Sequence, residues 1–146
     1  MTTASLPNYT TINLQSGIAA DTLAFMSARR ADWGTHQVAL NGNEISVFSD
    51  TTTYSVGVGR KFNENLSGSL SYNWEDGTGA TSTSPLSLTD GYRGVSAGVK
   101  YTVGDLTISG GVNLTSLGDV NVTPLGGLSF ADNTVTTVGM RVGYHF

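Results

Sequence analysis

The chain has no cysteine, which excludes a disulfide framework and any thiol-based catalytic or metal site. Charge is scarce: only 12% of the 146 residues are Asp, Glu, Lys or Arg, about half the usual share, too few to clothe an ordinary soluble surface. No stretch approaches the roughly 18 consecutive apolar residues of a membrane-spanning helix, so helical membrane proteins are excluded. Seven basic residues against eleven acidic ones give a net charge of −4, and no basic cluster is present to neutralise phosphates, which argues against a nucleic-acid partner. The opening MTTASLPNYT carries no basic n-region and no apolar h-region and reads as lacking an export signal; an exported protein with this sequence would be a processed, truncated or engineered form. The length is that of one domain. An all-β protein remains, either soluble and polar or a transmembrane barrel whose apolar residues are hidden by alternation.

What is abundant is glycine, at 19 residues, and period-two patterning. Val138, Met140, Val142, Tyr144 and Phe146 alternate with Thr137, Gly139, Arg141, Gly143 and His145, giving one apolar and one polar face. The same design runs through Tyr92 to Val103, Leu106 to Thr115, Tyr54 to Gly59 and Leu66 to Trp74. Two further strands are expected at about Leu6 to Gly17 and Thr22 to Trp33; in the second, Arg29 adjoins Arg30, so one arginine must face the apolar side. Short links at Ile18 to Asp21, Asn63 to Asn65 and Gly104 to Asp105 alternate with long ones at Gly34 to Asp50, Glu75 to Gly91 and Ser116 to Asn133. Outer-membrane barrels have this arrangement, with short periplasmic turns and long outer loops, which places Phe146 at the periplasmic rim.

The polar face favours a barrel over a soluble sandwich. A sandwich normally turns Lys and Glu outward over a core of Leu, Ile and Val. Here the polar face is Gly, Ser, Thr and Asn, which suits a crowded barrel interior. Alternation puts Arg60 on the apolar face beside the Asn63 turn, where an interfacial arginine costs about 0 to 1 kcal/mol. Glycines 57, 59, 98, 110, 111, 139 and 143 read as relief of backbone crowding and as sites of sheet curvature.

Candidate chemistry is sparse. His36 and His145 lack the spaced partners of a metal site, no catalytic constellation is recognisable, and neither metal nor cofactor is expected. Arg29, Lys100 and Arg141 are expected to face the lumen. There they either pair with a carboxylate solute by charge-assisted hydrogen bonds or pair with Glu75, Asp32 and other lumen acids and stiffen the wall.

The ending VGMRVGYHF resembles the C-terminal signal that directs bacterial barrels into the outer membrane, with Val138, Met140, Val142, Tyr144 and Phe146 in the signal positions. A narrower resemblance runs through SGIAADTLAF and RRADW at 16 to 33, TTTYSVGVGRKFNENLSGSLSYNWED at 51 to 76, and TDGYRGVSAGVKYTVGDLTISGGVNLTSLGDVNV at 89 to 122. These segments resemble the C-terminal half of the FadL/TodX family, outer-membrane transporters of long-chain fatty acids and other hydrophobic compounds. The resemblance implies an antiparallel transmembrane barrel of 14 strands in all, about seven from this chain. The family's N-terminal hatch and NPF-type motif have no counterpart, so residues 1–146 are expected to form one barrel segment without a separate plug.

Seven strands that alternate in direction cannot close an antiparallel barrel, and an open edge in hydrocarbon leaves backbone groups unpaired at several kcal/mol each. A partner is therefore expected: the N-terminal half on another chain, a second copy, or a strand from Gln37 to Phe48, whose Asn-Gly signal predicts a hairpin. Outer-membrane lipid, the barrel-assembly machinery and a hydrophobic small molecule complete the expected partners. The expected function is passive passage of a hydrophobic solute without enzymatic chemistry. The alternative is a small structural or surface-binding barrel that acts through its outer loops.

Overall fold

The computed structural model describes residues 2–4, 7–33, 38–40, 43–46, 48–79, 81–82 and 88–146. Among these residues thirteen strands follow one another: β1 (Thr2–Ala4), β2 (Asn8–Ala19), β3 (Thr22–Asp32), β4 (Val38–Leu40), β5 (Asn43–Ser46), β6 (Thr51–Lys61), β7 (Leu66–Glu75), β8 (Thr81–Ser82), β9 (Tyr92–Val103), β10 (Leu106–Leu117), β11 (Val120–Val122), β12 (Leu128–Phe130) and β13 (Thr134–Tyr144). Seven of them are 10 to 12 residues long, the length of strands that cross a bilayer at a tilt. They form one sheet in the order β13, β10, β9, β7, β6, β3, β2, with every pairing antiparallel.

The seven expected strands are present, with shifted ends. β2 begins at Asn8, just after the buried Pro7, and runs on to Ala19. Its turn into β3 is reduced to Ala20 and Asp21, with Asp21 in the left-handed region at φ 55° and a register shift between Gly17 and Ala19 that leaves Ile18 as the extra residue. β6 starts three residues earlier than the alternation from Tyr54 predicts, because Thr51, Thr52 and Thr53 continue the ladder against Ala31, Arg30 and Arg29. β13 spans Thr134–Tyr144, and Phe146 lies beyond it with its ring 6.2 Å from that of Tyr144.

The remaining strands belong to the long connections. β4 and β5 pair as the hairpin expected between Gln37 and Phe48; its Asn41 and Gly42 lie outside the described residues, as does His36. The hairpin joins β1 in a separate three-stranded sheet and supplies no strand to the large one. β12, β11 and β8 form a second small sheet. Val120 and Val122 of β11 are the buried hydrophobic residues among those described, so what dry core there is lies in a connection rather than on either face of the large sheet.

The apolar face of the large sheet is organised by height. Tyr54 stacks on Trp74 at 5.0 Å and Trp74 on Tyr72 at 5.6 Å near the ends that carry the long connections. Phe62, Tyr101, Tyr144 and Phe146 lie toward the short turns, all strongly exposed. On β7, Trp74 is eight residues from Leu66, the partner of Tyr101, or about 26 Å along the strand and about 20 Å at a tilt of about 40°. That is close to the height of the apolar band between the aromatic girdles of an outer-membrane wall. The two central rows of this face, one through Met26, Val56, Tyr72, Val95 and Leu114 and one through Val58, Leu70, Val112 and Val138, carry no charge.

Apolar-face arginines stand outside those rows. Arg93 pairs with Trp74, Arg60 pairs with Gly68 near the Asn63 turn, and Arg30 pairs with Thr52. Of the Arg29 and Arg30 pair, Arg30 thus takes the apolar side, where Asp32 and Asp50 hold its guanidinium at 2.8 and 3.0 Å.

Candidate functional site

The polar face is a stack of cross-strand rows, each with its own chemistry. Nearest the long connections, Arg29 lies over the Tyr9 ring at 4.2 Å, and Glu75 accepts a 2.7 Å hydrogen bond from Thr53. Below them amides and hydroxyls bond one another: Asn113 of β10 donates across to Ser96 of β9 at 2.8 Å, and within β10 Thr115 donates to Asn113 at 2.7 Å. Phe25 lies on this face with its ring over Gly57.

The next row is nearly bare. Gly17, Leu23, Gly59, Ser69, Gly98, Gly111 and Gly139 are consecutive partners across all seven strands, five of them glycine. None of the five has a positive φ. A Cβ built on Gly17 or Gly139 would meet nothing within 4 Å, and one on Gly59 only a carbonyl at 3.9 Å. At these positions, backbone crowding within the sheet therefore does not require glycine, and the effect of the row is to leave space over the face. Crowding does operate at Gly57, where a Cβ would collide with Phe25 and lie 2.7 Å from the Leu70 carbonyl oxygen, and at Gly111, 3.0 Å from the Ala97 oxygen.

Beside the bare row, toward the short turns, stands a cationic one. Lys61 pairs with Ser67, Ser67 with Lys100, Lys100 with Ser109 and Ser109 with Arg141. Alternate strands thus present a cation, about 10 Å apart at the usual strand spacing, with a serine between each pair. Among the described residues none of the three has an ion-pair partner; the salt bridges found there are those of Arg30. A cleft of about 760 Å³ runs over both rows and is lined by Leu23, Gly59, Lys61, Ser69, Gly98, Lys100 and Ser109. It combines open space with donors for an anion from Lys61 and Lys100, and among the described residues Asp21 is the one acid in its lining.

The structure thus brings Lys100 and Arg141 to either side of Ser109 and leaves Arg29 apart. Arg29 pairs with Thr53, eight residues up β6 from Lys61, or about 26 Å. The acids expected to pair with these cations have other partners: Glu75 bonds Thr53, and Asp32 bonds Arg30. Lys61 joins the row beyond the three cations expected from the sequence; its signal is the alternation itself, since Arg60 on the apolar face dictates Lys61 on the polar one. Among the described residues no three His, Asp or Glu side chains converge as metal ligands would. His145 follows β13 and donates its backbone N–H to the Asp105 carbonyl at 2.9 Å.

No family model and no curated protein matches the sequence. Among solved structures, the crystal structure of a Pseudomonas aeruginosa FadL homologue matches 93% of this chain with a TM-score of 0.67 at 18% identity. The wall is FadL-like. The likeness is one of fold, and the chain covers 34% of that protein's length. A FadL-like wall accounts for the lack of a core on either face of the large sheet: its charge-free apolar rows and its polar, glycine-scored rows are opposite surfaces of one layer. Within the described residues the layer is open, with β2 and β13 each paired on one side.

Proposed function

We propose that the chain forms part of the wall of an outer-membrane barrel that lets hydrophobic solutes, such as long-chain fatty acids, pass down their gradient. The observation that carries this reading is the bare glycine row beside the cationic row on the polar face of a FadL-like sheet. An amphiphile with an acyl chain and a carboxylate needs both: room for a chain, and a fixed cation for its head. Lys100 and Arg141, with Lys61 beyond, supply the head contact; Arg29 belongs to a separate station nearer the loops. No covalent step is involved.

The barrel is completed by other strands, odd in number, that offer antiparallel partners to β2 and β13. A second copy related by a two-fold axis along the membrane normal would instead create two parallel seams. The assembly machinery of the outer membrane would recognise the terminal Val138, Met140, Val142, Tyr144 and Phe146 pattern.

The test is uptake of labelled oleate by liposomes that contain the completed barrel. The double variant Lys100→Gln, Arg141→Gln is expected to slow uptake of oleate about tenfold, the worth of about one charge-assisted hydrogen bond. Uptake of uncharged alkane is expected to continue. Equal uptake of oleate by variant and parent would remove the cations from the path, and no uptake by a closed parent barrel would end the transport reading.

A further inference from the structure

The apolar face carries a second polar and apolar combination, separate from the lumen. Arg93 lies there in the aromatic row at the long-connection end, paired with Trp74 on one side and with Ser116 on the other. Directly beneath is a shallow depression of about 220 Å³ lined by Tyr72, Val95 and Leu114, with Arg93, Ser116 and Thr134 along its upper border. Arg93 is exposed and has no ion pair among the described residues. Glu75, Asp76 and Asp90 share an adjoining crevice with it, yet among the described residues none of the three forms an ion pair with Arg93. Glu75 accepts from the Thr53 hydroxyl at 2.7 Å, and the Asp90 carboxylate is occupied by Thr78 and Gly79, whose N–H groups donate to it at 2.6 and 3.0 Å.

We infer that Arg93 and this depression form an external binding site for a phosphate-bearing outer-leaflet lipid, lipopolysaccharide. The inference rests on the outer-membrane reading, which puts the long-connection end of the apolar face in the outer leaflet. Charge complementarity argues for the occupant. The guanidinium is a planar fork that takes a phosphate through two parallel N–H bonds, and it stands at the height where headgroups meet the aromatic row. An acyl chain descending from that phosphate meets the depression and then the charge-free rows below it.

The experiment purifies the protein in mild detergent from membranes that contain lipopolysaccharide and counts bound lipopolysaccharide per protein by native mass spectrometry. Arg93→Gln is expected to lower that load about five- to tenfold. Arg93→Lys, which keeps the charge and loses the fork, is expected to retain an intermediate load, and Arg60→Gln, at the opposite end of the same face, the full load. Heat-modifiable gel mobility identifies the folded fraction that is counted. An Arg93→Gln load equal to the parent's overturns the inference, as does an equal loss in Arg60→Gln or a parent that retains phosphatidylglycerol as well as lipopolysaccharide. Fractionation away from the outer membrane would refute the localisation instead; the same counts in lipopolysaccharide liposomes would still decide the site.

Discussion

At the scale of single residues, glycines on one polar face divide into two kinds that the sequence does not distinguish. Gly57 is held by contact: a methyl group there would meet Phe25 and the Leu70 carbonyl oxygen. Gly57→Ala is therefore expected to destabilise the wall by about 1 to 3 kcal/mol, measured as a lower urea midpoint of the folded protein. Gly139 is bare by choice of volume rather than by contact, because a Cβ there would touch nothing within this sheet. Gly139→Leu is expected to leave the urea midpoint nearly unchanged and to slow solute passage by filling the cleft's continuation. A large loss of stability would instead place another strand or segment against that position.

At the scale of elements, the strands were legible because one force shaped them: each must present apolar groups to lipid and polar groups to the other side, and period two records that demand directly. The shifted ends reflect terms that alternation does not carry, such as the threonine run that extends β6 and the left-handed Asp21 that tightens the first turn. Lateral neighbours were not legible. The cationic row exists only because the register sets Lys61, Lys100 and Arg141 at one height on alternate strands, a relation between residues 39 and 41 positions apart in the chain. The small sheet of β8, β11 and β12 was hidden for a different reason: strands of two or three residues are too short to show a period.

The height of each row also sets the cost of a charge. Arg60 is accommodated because its stem can lie along the wall while its head reaches toward the short-turn rim. Val112→Arg, in a central row, is expected to cost about 2 to 4 kcal/mol, whereas Ser71→Arg on the polar face of the same sheet should cost much less. Unfolding titrations in lipid vesicles would compare the two; equal penalties would contradict the assignment of the faces.

At the scale of the whole molecule, the strand count governs what the chain needs. β2 and β13 run in the same direction at opposite edges of a seven-stranded antiparallel sheet. The folded assembly is expected to hold an even number of long strands, with an odd number contributed from beyond these seven, as counted in a cryo-EM map of the detergent-solubilised particle. A closed ring of seven would refute the parity argument. A ring of eight, with one strand added, would leave little room for a fatty-acid path and would favour a surface-binding role for the long connections.

The order of the large sheet bears on how the wall is built. Each long strand lies beside the long strand before it in the chain, with no crossover anywhere in the seven. Within the seven, construction can therefore proceed as a zipper, each hairpin laid on an edge already present, and only closure against the completing strands joins distant parts. The entropy of closing each connection grows only slowly with its length, about 0.6 kcal/mol per doubling. Long connections thus cost the folded wall little stability, and it can carry loops large enough to fold into sheets of their own.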